Sequence, residues 1–119
     1  MKDISVLSSN GVDVEKGLEL LGDMETYEEI LLEFLNQSSE RLENLKKYKD
    51  EADMANYAIL VHALKSDSKY LGFTKLAELA YQHEMESKAN NTQFVNDNFD
   101  ELMKEANRII EIIHLYLEK

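Results

Sequence analysis

Val61-His62-Ala63-Leu64-Lys65-Ser66-Asp67-Ser68-Lys69-Tyr70-Leu71-Gly72-Phe73 is the stretch from which the architecture can be worked outward. With Tyr57 just upstream, Val61, Leu64, Ser68 and Leu71 recur at alternating steps of four and three, the core-facing stripe of an amphipathic helix. Gly72 follows as the stop, because glycine adopts the left-handed cap that Leu71 could not reach cheaply. His62 lies one step round from the stripe, with Lys65 and Ser66 one turn on and Lys69 two turns on. No acid stands directly above it on this helix. In a chain of 24 acidic and 13 basic residues, that local excess of positive charge stands out.

Downstream, Thr74 opens a helix to about Lys88, with Leu76, Leu79, Ala80 and His83 facing in. Asn90-Asn91-Thr92 breaks it, since these residues favour turns and caps. Val95, Phe99, Leu102, Ala106, Ile109, Ile113 and Tyr116 then repeat at four and three, which is a bundle seam. Upstream, the stripe Tyr27, Ile30, Leu31, Phe34, Leu35, Ser38, Leu42 and Leu45 predicts a long helix starting near Asp23 to Thr26, with Thr26 and Glu29 as a capping box. The charged segment Lys46 to Asp53 reads as a turn before the helix that carries His62. Asp13 caps a short helix through Leu21, with Val14, Leu18 and Leu21 inward and Gly22 closing it. Residues 1–12 show no period and read as a tail or interdomain linker.

Four long helices joined by short loops run antiparallel to their sequence neighbours. The expected fold is all-α: an antiparallel up-down-up-down four-helix bundle with a short extra N-terminal helix, spanning residues 13–119. The composition agrees. Of 119 residues, 44% are apolar, none is proline and only four are glycine, which suits helices better than strands.

A net charge of −11 argues against nucleic acid and against an anionic membrane surface, both of which would repel the chain. Cysteine is absent, so disulfides and thiolate metal sites are excluded. There is neither a secretory leader pattern nor an apolar run of spanning length, and a cytoplasmic location is the expectation, either free or as part of a membrane-anchored sensor. No glycine-rich phosphate loop is present, so ATP binding is not expected. His83 reads as a core histidine, and His114 sits near a helix C-terminus, where a cation is favoured. Neither has a second ligand at metal-binding spacing, so no metal site is expected.

Neutral imidazole is a good nucleophile. Nearby lysines can stabilise a phosphoryl group in transit, and a short side chain one turn away leaves room for another protein to approach. Spacing alone, however, favours an ordinary surface histidine at position 62, because exposed histidines are common. At this point the run His62-x-Leu64-Lys65-x-x-Ser68-x-x-Leu71-Gly72 resembles the signature of histidine-containing phosphotransfer (HPt) domains, whose usual pattern is His-x-Leu-Lys-Gly-x-Ser/Ala-x-x-Leu/Ile-Gly. Gly11-Val12-Asp13-Val14-Glu15-x-Gly17-Leu18 and Leu76-Ala77-Glu78-Leu79-Ala80 resemble the family's flanks. Departures fall at Ser66, where the family usually has glycine, and at His83, where leucine is more usual.

The resemblance implies the same bundle and a role as phosphorelay intermediate. His62 would accept a phosphoryl group from a receiver-domain aspartyl phosphate and pass it to another receiver aspartate. Lys65, helped by Lys69, would offset charge on the phosphoryl oxygens. Helix geometry, not the resemblance, suggests Ile59, one turn before His62 on the same side, as a docking residue, and Ser66 would leave room for the partner. The chain itself would need no cofactor, the Mg²⁺ of such transfer belonging to the receiver. Partners would be receiver domains and a sensor kinase, in the same or a separate polypeptide, with a monomer as the default. The alternative is a non-catalytic helical adaptor that binds a receiver or partner helix without carrying phosphate, a reading helped by serine at position 66.

Overall fold

The computed structural model describes residues 2–118. Six helices follow in order: α1 Ser5–Ser8, α2 Val14–Leu21, α3 Met24–Asp50, α4 Met54–Leu71, α5 Thr74–Lys88 and α6 Thr92–Leu117. Residues 51–53, 72–73 and 89–91 connect the four long helices, and such short links force each helix to run back along its predecessor. Helix α3 packs on α4, α4 on α5, α5 on α6 and α6 on α3, which closes the ring. The all-α class and the four-helix bundle expected from the sequence are therefore what the chain adopts.

Helix ends are set by short polar side chains that satisfy the first free amides. The Asp53 carboxylate accepts from the Asn56 amide at 3.2 Å to start α4, and Asn91 Oδ1 accepts from the Phe94 amide at 3.1 Å to start α6. At α3 the cap is Asp23, which accepts from the Thr26 amide at 2.8 Å. The capping box expected at Thr26 is displaced, because the aspartate three residues earlier already satisfies that amide.

The turn expected over 46–53 is also shorter than its charge suggested: α3 continues to Asp50. Tyr48 keeps the helix half-buried there, and Lys47 and Lys49 sit in the last turn, where the dipole favours cations.

Residues 2–12 differ most from expectation, while Met1, the start of the expected tail, lies outside the described residues. They are not a loose tail against the bundle. Leu7 is fully buried and Val12 nearly so. Val12 bridges antiparallel to Phe73, the Asp13 amide donates to the Gly72 carbonyl at 2.8 Å, and Arg108 Nη1 on α6 donates to the Asn10 carbonyl at 2.9 Å. Two apolar side chains with core to enter were enough to order a segment too short to show a period.

One continuous core runs through the bundle, with Tyr27, Tyr57, Leu64, Leu76, Leu102 and Ile109 among its large, fully buried members. The Tyr27 hydroxyl donates to the Leu71 carbonyl at 2.6 Å, satisfying the end of α4 from within the core. Gly72 has φ +83°, and a Cβ there would stand 2.1 Å from the Asp13 carbonyl oxygen. Only glycine lets α2, α4 and α5 meet at this corner. No described helix is long and apolar enough to cross a membrane.

Candidate functional site

His62 lies midway along α4 with its side chain 55% exposed. The acid missing from its own helix comes from the next one. Glu84 Oε2 on α5 lies 2.7 Å from His62 Nδ1, and the Glu84 side chain is only 3% exposed. Lys65 Nζ stands 2.6 Å from Glu84 Oε1, and Lys88 Nζ stands 2.8 Å from Oε2. Burial pushes the Glu84 carboxyl up, but hydrogen bonds from Lys65, Lys88 and His62 outweigh it and hold its pKa at about 2.

The consequence for the imidazole follows directly. An ionised carboxylate can only accept, so His62 Nδ1 carries the proton and donates it. In the neutral ring the lone pair is then on Nε2, the nitrogen farther from the backbone. The geometry thus leaves a nucleophile on the exposed side of the ring and a negative charge behind it.

Lys65 matches its expected place beside His62, but its ammonium is engaged by Glu84 and lies 5.6 Å from the Tyr81 ring centroid. Lys69 is exposed near the end of α4, and Ser66 is half-buried one turn from His62. Ile59 is 69% exposed, while Tyr81 and Met85, which flank Glu84 in sequence, are each half-exposed. Large apolar side chains left in solvent around one polar centre mark a surface suited to a partner.

His83 is buried, as its place on the inward stripe of α5 predicted. Tyr57 Oη lies 2.8 Å from its Nδ1, and its Nε2 lies 3.2 Å from the Asn98 carbonyl. A carbonyl can only accept, so Nε2 carries the proton and Nδ1 accepts a hydrogen bond from the Tyr57 hydroxyl. Burial pushes its pKa down, which keeps this ring neutral and structural.

Sequence reasoning missed Glu84 and Lys88. Glu84 continues the inward line Leu76, Ala80 at steps of four, a signal present in the sequence. Lys88 follows Glu84 by one turn. What the sequence could not show was that α4 and α5 would bring position 62 against position 84.

The helical bundle thus presents an exposed histidine, His62, beside a buried carboxylate and lysines. The Hpt domain profile matches residues 29–112, and the chain belongs to the Hpt domain family. No curated protein and no solved structure matches it. Membership brings histidine phosphotransfer in phosphorelays, and interaction with receiver domains, as the general role of the family.

Proposed function

We propose that His62 is the phosphoryl-accepting residue of a phosphorelay intermediate. The observation that carries this reading is the exposed imidazole whose Nδ1 is held by buried, ionised Glu84, leaving Nε2 free to attack. The Nε2 lone pair forms a bond to phosphorus while the bond from phosphorus to the receiver's aspartyl oxygen breaks, its electron pair staying on that carboxylate. The ring becomes a phosphoimidazolium whose Nδ1–H remains bonded to Glu84. The carboxylate offsets the new positive charge. Reversal of the same steps delivers the group to another receiver aspartate.

Lys65 and Lys69 provide positive charge for the phosphoryl oxygens, since in-line transfer depends on positioning and electrostatics. The Mg²⁺ of such transfer would belong to the acidic pocket of the receiver, while Glu84 here answers three donors. Ile59 and Ser66 lie in the docking surface, with Tyr81 and Met85 extending it on α5. The chain acts as a phosphocarrier without ATP chemistry of its own.

The test is incubation of wild type and His62→Gln with phosphorylated receivers. Acid-labile phosphate is expected on wild type and absent from the variant. Equal labelling of both would move the site elsewhere, and binding without labelling by any receiver would leave an adaptor.

A further inference from the structure

The core stripe of α3 runs Leu31, Leu35, Ser38, Leu42, Leu45, with a serine where a bundle seam ordinarily takes a large apolar side chain. The Ser38 hydroxyl turns back to the Leu35 carbonyl at 2.7 Å, so it needs no partner from across the seam. With Ser39 beside it, the middle of α3 fills little space. Helices α3 and α6 leave a groove of about 870 Å³ between them, floored by Leu32, Leu35, Leu42, Phe99, Met103 and Ile110. Leu32, Leu35, Leu42 and Met103 are only partly buried. At Leu32 the groove adjoins a second recess, of about 280 Å³, toward Glu25, Glu28 and Glu29 at the start of α3.

The charges along this groove are unevenly answered. Its lysines are paired within the chain, Lys2 with Glu28 at 3.4 Å and Lys46 with Asp50 at 3.1 Å. Glu25, Glu29 and Glu43 are exposed on the α3 rim and have no ion-pair partner among the described residues. Three unanswered carboxylates beside an apolar floor favour a cationic partner. In a chain of net charge −11 they disfavour a second copy of the chain and an anionic lipid surface. Because α3, α4, α5 and α6 close a ring, the α3–α6 seam lies across the bundle from the α4–α5 seam that carries His62.

We propose that this groove docks an amphipathic helix of a protein partner, one with an aliphatic stripe and lysine or arginine along its edges. Two antiparallel helices with a hollow between them offer the shape that a third helix fills, and aliphatic side chains one turn apart enter between Leu35, Leu42 and Met103. From Glu25 to Glu43 is about 27 Å of helix, so the partner segment has about five turns. Its cations lie over Glu25 and Glu29 at one end and over Glu43 at the other. On the far side from His62, the docked helix tethers the chain while leaving the α4–α5 face open.

The probe is a synthetic peptide of about 18 residues, with leucine at helical spacing and lysine elsewhere. It is titrated into the isotope-labelled full chain at about 0.15 M salt, where weak attraction between distant charges is screened. Saturable one-to-one binding in the micromolar range is expected, with amide shifts centred on Ser39, Leu42, Met103 and Asn107. A peptide of the same composition with its leucines scrambled out of period should bind at least about tenfold more weakly. Ser39→Arg, at an exposed mid-helix position, puts bulk and positive charge into the groove. It should weaken binding by about tenfold and leave the melting temperature unchanged. Equal affinity for the scrambled peptide would reduce the binding to attraction between opposite charges and overturn the proposal. So would shifts centred on α4 and α5, an affinity that Ser39→Arg leaves unchanged, no saturation up to millimolar peptide, or a chain that self-associates through this face before peptide is added.

Discussion

Burial alone would favour the neutral acid at Glu84, yet three donors on two helices keep it ionised. Its pKa falls from the ordinary 4.5 to about 2, and a depressed folded-state pKa is a statement about stability. Above about pH 4.5 the stabilisation is present in full. As pH falls from there toward 2, the unfolded chain takes up a proton that the folded chain refuses, and the stabilisation is lost. Denaturation midpoints measured across this window should fall for wild type, and Glu84→Gln should make that fall measurably shallower, the remainder coming from other lowered acids such as Asp23 and Asp53. The same variant tests orientation of the imidazole. An amide oxygen still accepts from Nδ1, but the bond is no longer charge-assisted. We expect transfer to slow by roughly fivefold, about 1 kcal/mol, with receiver binding unchanged. The histidine and its lysines were legible in the sequence because they share one helix face. The carboxylate was not, because its partner is fixed by tertiary packing, although its own place on the inward face of α5 could have been read.

At the level of elements, α2, α4, α5 and α6 begin and end where the sequence placed them, to within a residue or two. Asp53, Asn91 and Gly72 are caps whose chemistry is local, so neighbouring residues suffice to find them. The far end of α3 was misread because a charged run resembles a turn, whereas lysines at a helix C-terminus are favoured by the dipole. Gly72 carries the largest local constraint. Gly72→Ala puts a side chain at positive φ and against the Asp13 backbone. It should cost at least about 2 kcal/mol, read as a shift in denaturation midpoint. Ile59 makes the opposite case. At 69% exposed it contributes little to the fold, so Ile59→Glu should leave the melting temperature within a degree or two while slowing transfer by roughly tenfold. An unchanged rate would take Ile59 out of the docking surface.

For the molecule as a whole, the helices are unequal in a way that explains the N-terminal segment. Helices α3 and α6 have 27 and 26 residues, whereas α4 and α5 have 18 and 15. The inner hairpin is therefore shorter by roughly ten residues, about 15 Å of helix. Helices α1 and α2 pack at this step, α1 on α6 and α2 on α3 and α4. A segment that looks like a tail in sequence is needed to cover apolar surface that the hairpin does not reach. Leu7→Ala, at a fully buried site, should cost about 2–4 kcal/mol in a denaturant titration. A value near zero would return the segment to the status of a tail.

His62 and Glu84 face each other across the seam of two helices that share only a two-residue corner. That contact makes the imidazole a strain gauge for the bundle. While α4 and α5 stay in register, the ring is locked in one tautomer. If the seam opens by even an ångström or two, the lock is released and the proton exchanges between both nitrogens. Ring-nitrogen resonances of His62 should average toward the tautomer mixture of free imidazole before helical content is lost on heating. The side chain proposed to carry the group would thus announce, ahead of unfolding, that the seam holding it has loosened.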